Sequence, residues 1–213
     1  NFDQAFESIK SITDKIDQNW NTNIINLMEK DSISILQDVY YKAQIQLNNK
    51  QYADFLIQVF CFQENVLGYL VKKMLLKPKD VNKNWELLKN DGIIEKEIKY
   101  YDNGQLWTYL KDYKYYNRPL IIDFNRYLTR PILRAIAEYN PKYQELLSSI
   151  DELERYCTQR NDYIHNLAGV PEIPQKESDH IMKNLRDILS KINPDFSREN
   201  PFHNINGEII KHL

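Results

Sequence analysis

Glycine and proline are almost missing from the first third of this 213-residue chain: no proline precedes Pro78, and Gly68 is the only glycine before Gly92. Both residues interrupt helices, so their scarcity predicts long uninterrupted ones. Cysteine is scarcer still. Cys61 and Cys157 stand far apart without metal-ligand neighbours, which fits a reducing compartment better than a disulfide scaffold, so a cytoplasmic location is expected. A surplus of either charge is lacking as well, with 28 Lys and Arg against 30 Asp and Glu and a net charge of -2. Such a chain has no global attraction to phosphate, and any nucleic-acid binding has to come from a local patch. The most apolar run, FLIQVFCFQENVLGYLV, is interrupted by Gln58, Gln63, Glu64 and Asn65, and no charged-then-apolar leader opens the sequence. Neither a membrane span nor a signal peptide is expected. The first residue is Asn1 rather than methionine, from which we expect a piece of a longer polypeptide.

Apolar residues are present at helical intervals. Phe2, Phe6, Ile9, Ile12 and Ile16 recur in this way, as do Ile33, Leu36, Val39 or Tyr40, Ala43 and Leu47. The stretch from Gln51 to Leu76 is apolar on almost every side, the mark of a helix surrounded by others. Later prolines fall between periodic segments, where they start or stop shorter helices. The expected fold is all-α, a helical bundle in one domain spanning 1–213. One stretch dissents. EKEIKYYDNGQLWTYLKDYKYY holds six of the fifteen tyrosines, and its DNG between β-favouring segments signals a hairpin, so a small inserted hairpin or irregular segment is expected over 90–117. The tail from Asn193 onward is polar and poorly periodic, and is expected to be loop with at most one short helix.

The segment SSIDELERYCTQRNDYIHNLAGVPEIP starts with a serine cap and an acidic first turn and ends on Gly169 and Pro171, which are helix-stop residues. Arg160 and His165 then occupy the last turns. Five residues of helix rotate the chain by roughly 500°, leaving the two side chains about 140° apart. They meet one ligand only if the helix end is distorted or a second copy supplies the other half of the site. An imidazolium near a helix C-terminus is stabilised by the dipole, which brings His165 close to neutral titration and suits phosphate chemistry. As an isolated pattern the pair is weak, since an Arg and a His at such spacing arise readily by chance.

Further features carry two readings each. Glu64 falls in the stripe Ile57, Cys61, Leu67 and Val71, where a carboxylate needs a partner such as Arg160 or Arg155; alternatively it is exposed beside Asn65. Arg126, Arg130 and Arg134 recur at four-residue steps and, if helical, form a basic stripe able to track an RNA backbone. The alternative is a solvated face, and Pro131 argues for a helix start that breaks the stripe. The tyrosines and Trp107 of the insertion could stack bases, although packing on the bundle is favoured. His180, His203 and His212 are scattered and read as surface residues, and no His, Cys, Asp and Glu cluster has metal-ligand spacing.

RNDYIH, an Arg, a polar residue, three further positions and a His, resembles the signature of HEPN ribonuclease domains, and YADFLIQVFCFQENVLGYL is similar to the long central helix of the HEPN domain in CRISPR type III ancillary ribonucleases. The resemblance extends loosely from about Phe2 to about Ile192. It implies a homodimer in which two copies of the motif form one composite nuclease site, and single-stranded RNA as substrate. It also implies activation by a cyclic oligoadenylate through an N-terminal CARF sensor domain, which this sequence does not contain. RNA carries its own nucleophile, the 2′-OH, so cleavage needs proton transfer and stabilisation of phosphorane charge. On this reading His165 moves the proton, Arg160 offers a fixed charge and planar donor fork, and Asn161 orients the histidine or the phosphate. No metal and no cofactor is called for. A toxin of a HEPN toxin and antitoxin pair, or a non-catalytic helical dimerisation module, is the alternative.

Overall fold

The computed structural model describes residues 31–156, 171–194 and 196. The expected helix over Phe2 to Ile16 and nearly all of the tail lie outside them. Helix α1 (Ser32–Asn48) is capped by Asp31, whose carboxylate accepts from the Ser34 amide at 2.8 Å. It buries Leu36, Val39, Tyr40 and Ala43, one stripe at helical spacing. After a three-residue link α2 (Tyr52–Leu75) begins. At 24 residues it is about 36 Å long. The two form a helical hairpin, and both match the bounds expected from the sequence.

Helix α2 is the axis of the bundle. It buries Phe55, Leu56, Val59, Phe62, Val66, Leu67, Leu70, Val71 and Leu75, residues that face in several directions around its circumference. Against it pack α1, the later helix α6 (Arg130–Glu138) and, more lightly, α4 (Ile93–Tyr100). Helix α7 (Gln144–Asp151) follows α6, and α8 (Gln175–Ile192) closes the bundle against α1 and α7. Phe196 then folds back onto α1, its ring 5.5 Å from that of Tyr40. Among the described residues the only sheet is a two-stranded ribbon, so the class is all-α as expected.

The insertion is more helical than the sequence suggests. Helix α3 (Trp85–Asn90) leads into it, α4 and α5 (Gln105–Asp112) fill most of it, and DNG makes no strand turn. Asp102, Asn103 and Gly104 do take positive φ (50°, 54° and 83°), the geometry that the hairpin signal anticipates, but they sit in a single tight turn between two helices. Burial decides this. Ile94 and Ile98, then Leu106 and Leu110, are buried at four-residue spacing, and this helical pattern outweighs the local β preference of the tyrosines. The hairpin forms one step later, between β1 (Lys114–Tyr115) and β2 (Arg118–Pro119), with Lys114 opposite Pro119. Its two turn residues, Tyr116 and Asn117, both have positive φ (47° and 62°), as a two-residue hairpin turn demands. The aromatic residues largely pack rather than face solvent. Tyr101, Trp107, Tyr109 and Tyr113 lie half-buried against the core, whereas Tyr100 and Tyr116 are exposed. The Tyr113 hydroxyl donates to Glu138 at 2.6 Å and Tyr139 donates to Asp102 at 2.6 Å, joining the insertion to α6 and the residue that ends it.

Candidate functional site

Arg160, Asn161 and His165 lie outside the described residues. The structure does show what holds the chain leading into them. No serine caps the helix here: a 3-10 turn over Pro141–Tyr143, in which the Asn140 side chain accepts from the Lys142 amide at 3.1 Å, runs directly into it. Helix α7 therefore begins at Gln144, carries Ser148 and Ser149 internally and ends at Asp151. A turn follows at Glu152 and Leu153, and residues 154–156 are helical again. The single helix from Ser148 expected from the sequence is thus two segments.

Three side chains from three elements close a ring around this junction. Arg130, at the first position of α6, donates through Nη2 to Glu154 Oε1 at 2.6 Å and through Nη1 to Gln63 Oε1 at 2.7 Å. Gln63, buried in α2, donates through Nε2 to Glu154 Oε2 and to the Ile150 carbonyl, both at 3.1 Å. A neutral amide suits this place because its oxygen faces the guanidinium while its NH2 faces the carboxylate. The Arg130 guanidinium also stacks over Phe60, 5.3 Å from the ring centroid. One turn along α6, Arg134 grips both carboxylate oxygens of Asp151 at 2.8 and 2.7 Å and also contacts Glu138 and Tyr113. Asp151 and then Glu138 hold the Arg134 guanidinium still more firmly protonated than usual. From the other side, Asn184 of α8 donates to Glu152 at 2.7 Å and Lys191 pairs with Glu145 at 2.7 Å. Arg155 contacts the Tyr156 hydroxyl and lies 3.6 Å from Glu177.

The three arginines named from the sequence thus have different surroundings. Arg130 and Arg134 share one side of α6 and both meet carboxylates of the α7 region. Arg126 lies before that helix, exposed and 3.4 Å from Asp123. They do not form one continuous helical stripe, because Pro131 sets the helix start at Arg130. Glu64 is exposed beside Asn65 rather than set in the apolar stripe. The buried polar position is its neighbour Gln63, which sequence reasoning missed. A signal existed: Gln63 stands seven residues from Leu56 and from Leu70, both fully buried, on the most apolar face of α2. His180 is exposed, 3.5 Å from Glu152, and His203 and His212 lie outside the described residues. Among the described residues no three His, Cys, Asp or Glu side chains are grouped to hold a metal ion, and no helix is long and apolar enough to cross a membrane.

The family model described as the Cas_Csm6 HEPN domain matches residues 24–210, a span that includes the central helix, the polar ring and RNDYIH. The chain belongs to the Csm6 HEPN family. It is a HEPN domain of the kind found in CRISPR type III ancillary ribonucleases. No curated protein and no solved structure matches it.

Proposed function

We propose that this HEPN domain is a metal-independent endoribonuclease that cleaves single-stranded RNA by attack of the 2′-OH on the adjacent phosphate. The family match across RNDYIH carries this reading, because the motif supplies the two functions that RNA self-cleavage lacks in water. His165 takes the 2′-OH proton or delivers one to the departing 5′-oxygen, Arg160 neutralises charge on the non-bridging oxygens, and Asn161 orients one of them. The products are a 2′,3′-cyclic phosphate and a 5′-hydroxyl. Since a spacing of five residues on a helix would set Arg160 and His165 about 140° apart, the proposed site is completed across a twofold axis by a second copy. In the cell the domain acts as the effector part of a CRISPR type III antiviral defence protein. A cyclic oligoadenylate switches it on through a CARF domain outside this sequence.

Turnover of a fluorescent RNA in EDTA tests the chemistry. Cleavage should persist in the chelator, yield cyclic-phosphate ends and vanish on a DNA version of the same sequence. Equal cleavage of the DNA would end the proposal.

A further inference from the structure

Lys72 lies near the C-terminal end of α2 with only 7% of its surface exposed. Its ammonium donates to the Lys83 carbonyl at 2.7 Å and sits 5.1 Å from the centre of the Trp85 indole. Among the described residues no carboxylate pairs with it, and burial pushes its pKa down to about 8. A buried cation without a counter-charge costs stability, so its retention calls for a reason.

The surroundings supply one. An ammonium has three donors, and one carbonyl and one ring face do not exhaust them. Lys72 lines a cavity of about 160 Å³ between the start of α1, the end of α2 and the loop before α3. At ~30 Å³ per water that is room for about five waters, enough for a phosphate group. Gly68 shapes one wall: a Cβ there would come within 3.2 Å of Trp85 Nε1, so glycine lets the indole lie close against α2 beside the lysine. Asn65 and Asn82 also line it, each with one amide N–H already given, to the Cys61 carbonyl at 2.8 Å and to Asp31 at 3.1 Å, and one left. The cations Lys72 and Lys83 line the cavity; Lys83 is paired with Asp80 at 2.7 Å, and at the rim the Asp31 carboxylate accepts from Asn82 at 3.1 Å. Lys72 is therefore the lining cation that, among the described residues, no carboxylate neutralises, which is what a chain with no net positive charge needs in order to hold an anion locally.

We propose that this cavity is a phosphate subsite in which Lys72 is the buried donor and the occupant is a phosphate group of an RNA strand or of a free nucleotide. It uses none of Arg160, Asn161 or His165, so it stands or falls apart from the catalytic reading. The indole N–H of Trp85 is a reporter built into the wall. Its NMR signal, assigned by comparison with Trp85→Phe, is followed in the full chain during titration with inorganic phosphate, with uridine monophosphate and with a short 2′-O-methyl RNA strand that cannot be cleaved. The signal should shift and saturate. Above pH 8 the affinity for uridine monophosphate should fall about tenfold per pH unit as Lys72 loses its proton, because a phosphate monoester, with its second pKa near ~6, stays dianionic there. Lys72→Met should weaken binding at least ~tenfold, the scale of one lost charge-assisted hydrogen bond, whereas Lys73→Met should not. Tighter binding of the strand than of the mononucleotide assigns the site to RNA, and the reverse assigns it to a free nucleotide. A Trp85 signal unmoved by all three probes, or moved equally at pH 7 and 10, overturns the proposal. The pH comparison needs no substitution and holds even if Lys72→Met fails to fold.

Discussion

Arg130 and Glu154 meet at 2.6 Å, and Gln63 bonds to both. The pair ties the first residue of α6 to the helical segment that leads, six residues later, to Arg160. Each partner is largely withdrawn from solvent, with 16% and 22% of its side chain exposed, so removing either one leaves a poorly hydrated charge. Arg130→Met should therefore destabilise the domain by about 3 kcal/mol, and Arg130→Met with Glu154→Leu together should cost less than the sum of the two single changes. Chemical denaturation of the four proteins measures this. Simple additivity would show that the pair is not coupled.

Gln63 is expected to matter for turnover as well as for folding, because its amide fixes both the Ile150 carbonyl and Glu154 ahead of the motif. Gln63→Leu should lower kcat per folded molecule while leaving KM for RNA nearly unchanged, since no contact with substrate is removed. An unchanged kcat in the folded fraction would make Gln63 a purely structural residue.

The composite site makes a distinctive demand on mixed dimers. Arg160→Ala and His165→Ala should each lower turnover by at least ~10², with helical content and dimer mass retained. Mixing the two inactive variants should restore part of the activity, because about half of the dimers then bring an intact Arg160 from one chain to an intact His165 from the other. A site completed within one chain has no intact copy in any such mixture. Failure of the mixture to recover, given proven subunit exchange, would therefore place the site within a single chain.

Lys72 also leaves a mark on stability without any ligand. Its pKa is about 8 in the folded chain, lowered by burial from the ordinary lysine value of 10.5. Between these values the unfolded chain binds more protons than the folded one, and stability rises with pH wherever that is so. The stability of wild type relative to Lys72→Met should consequently increase from pH 8 to about 10.5. Thermal unfolding of both proteins across that range checks the sign, and a flat difference would mean that the lysine is solvated.

Breaker placement and apolar spacing determined that this chain is helical and where α1 and α2 begin and end, because those properties are local and repeat with the helix period. The same reading singled out RNDYIH, whose residue types carry their chemistry in their side chains wherever the fold puts them. Tertiary structure decided the rest. DNG holds the backbone angles of a hairpin turn yet joins two helices, since burial of Ile98 and Leu106 against the bundle outweighs local preference. Gln63 and Glu64 are adjacent polar residues in one helix, and only the positions of α6 and α7 determine that the first is buried in a ring of hydrogen bonds while the second faces water. Arg130 and Arg134 read equally well as ligands for RNA until Glu154 and Asp151, some twenty residues away, are brought against them. Spacing along a chain records which face a side chain occupies, but the partner waiting on that face is set by packing between elements far apart in sequence.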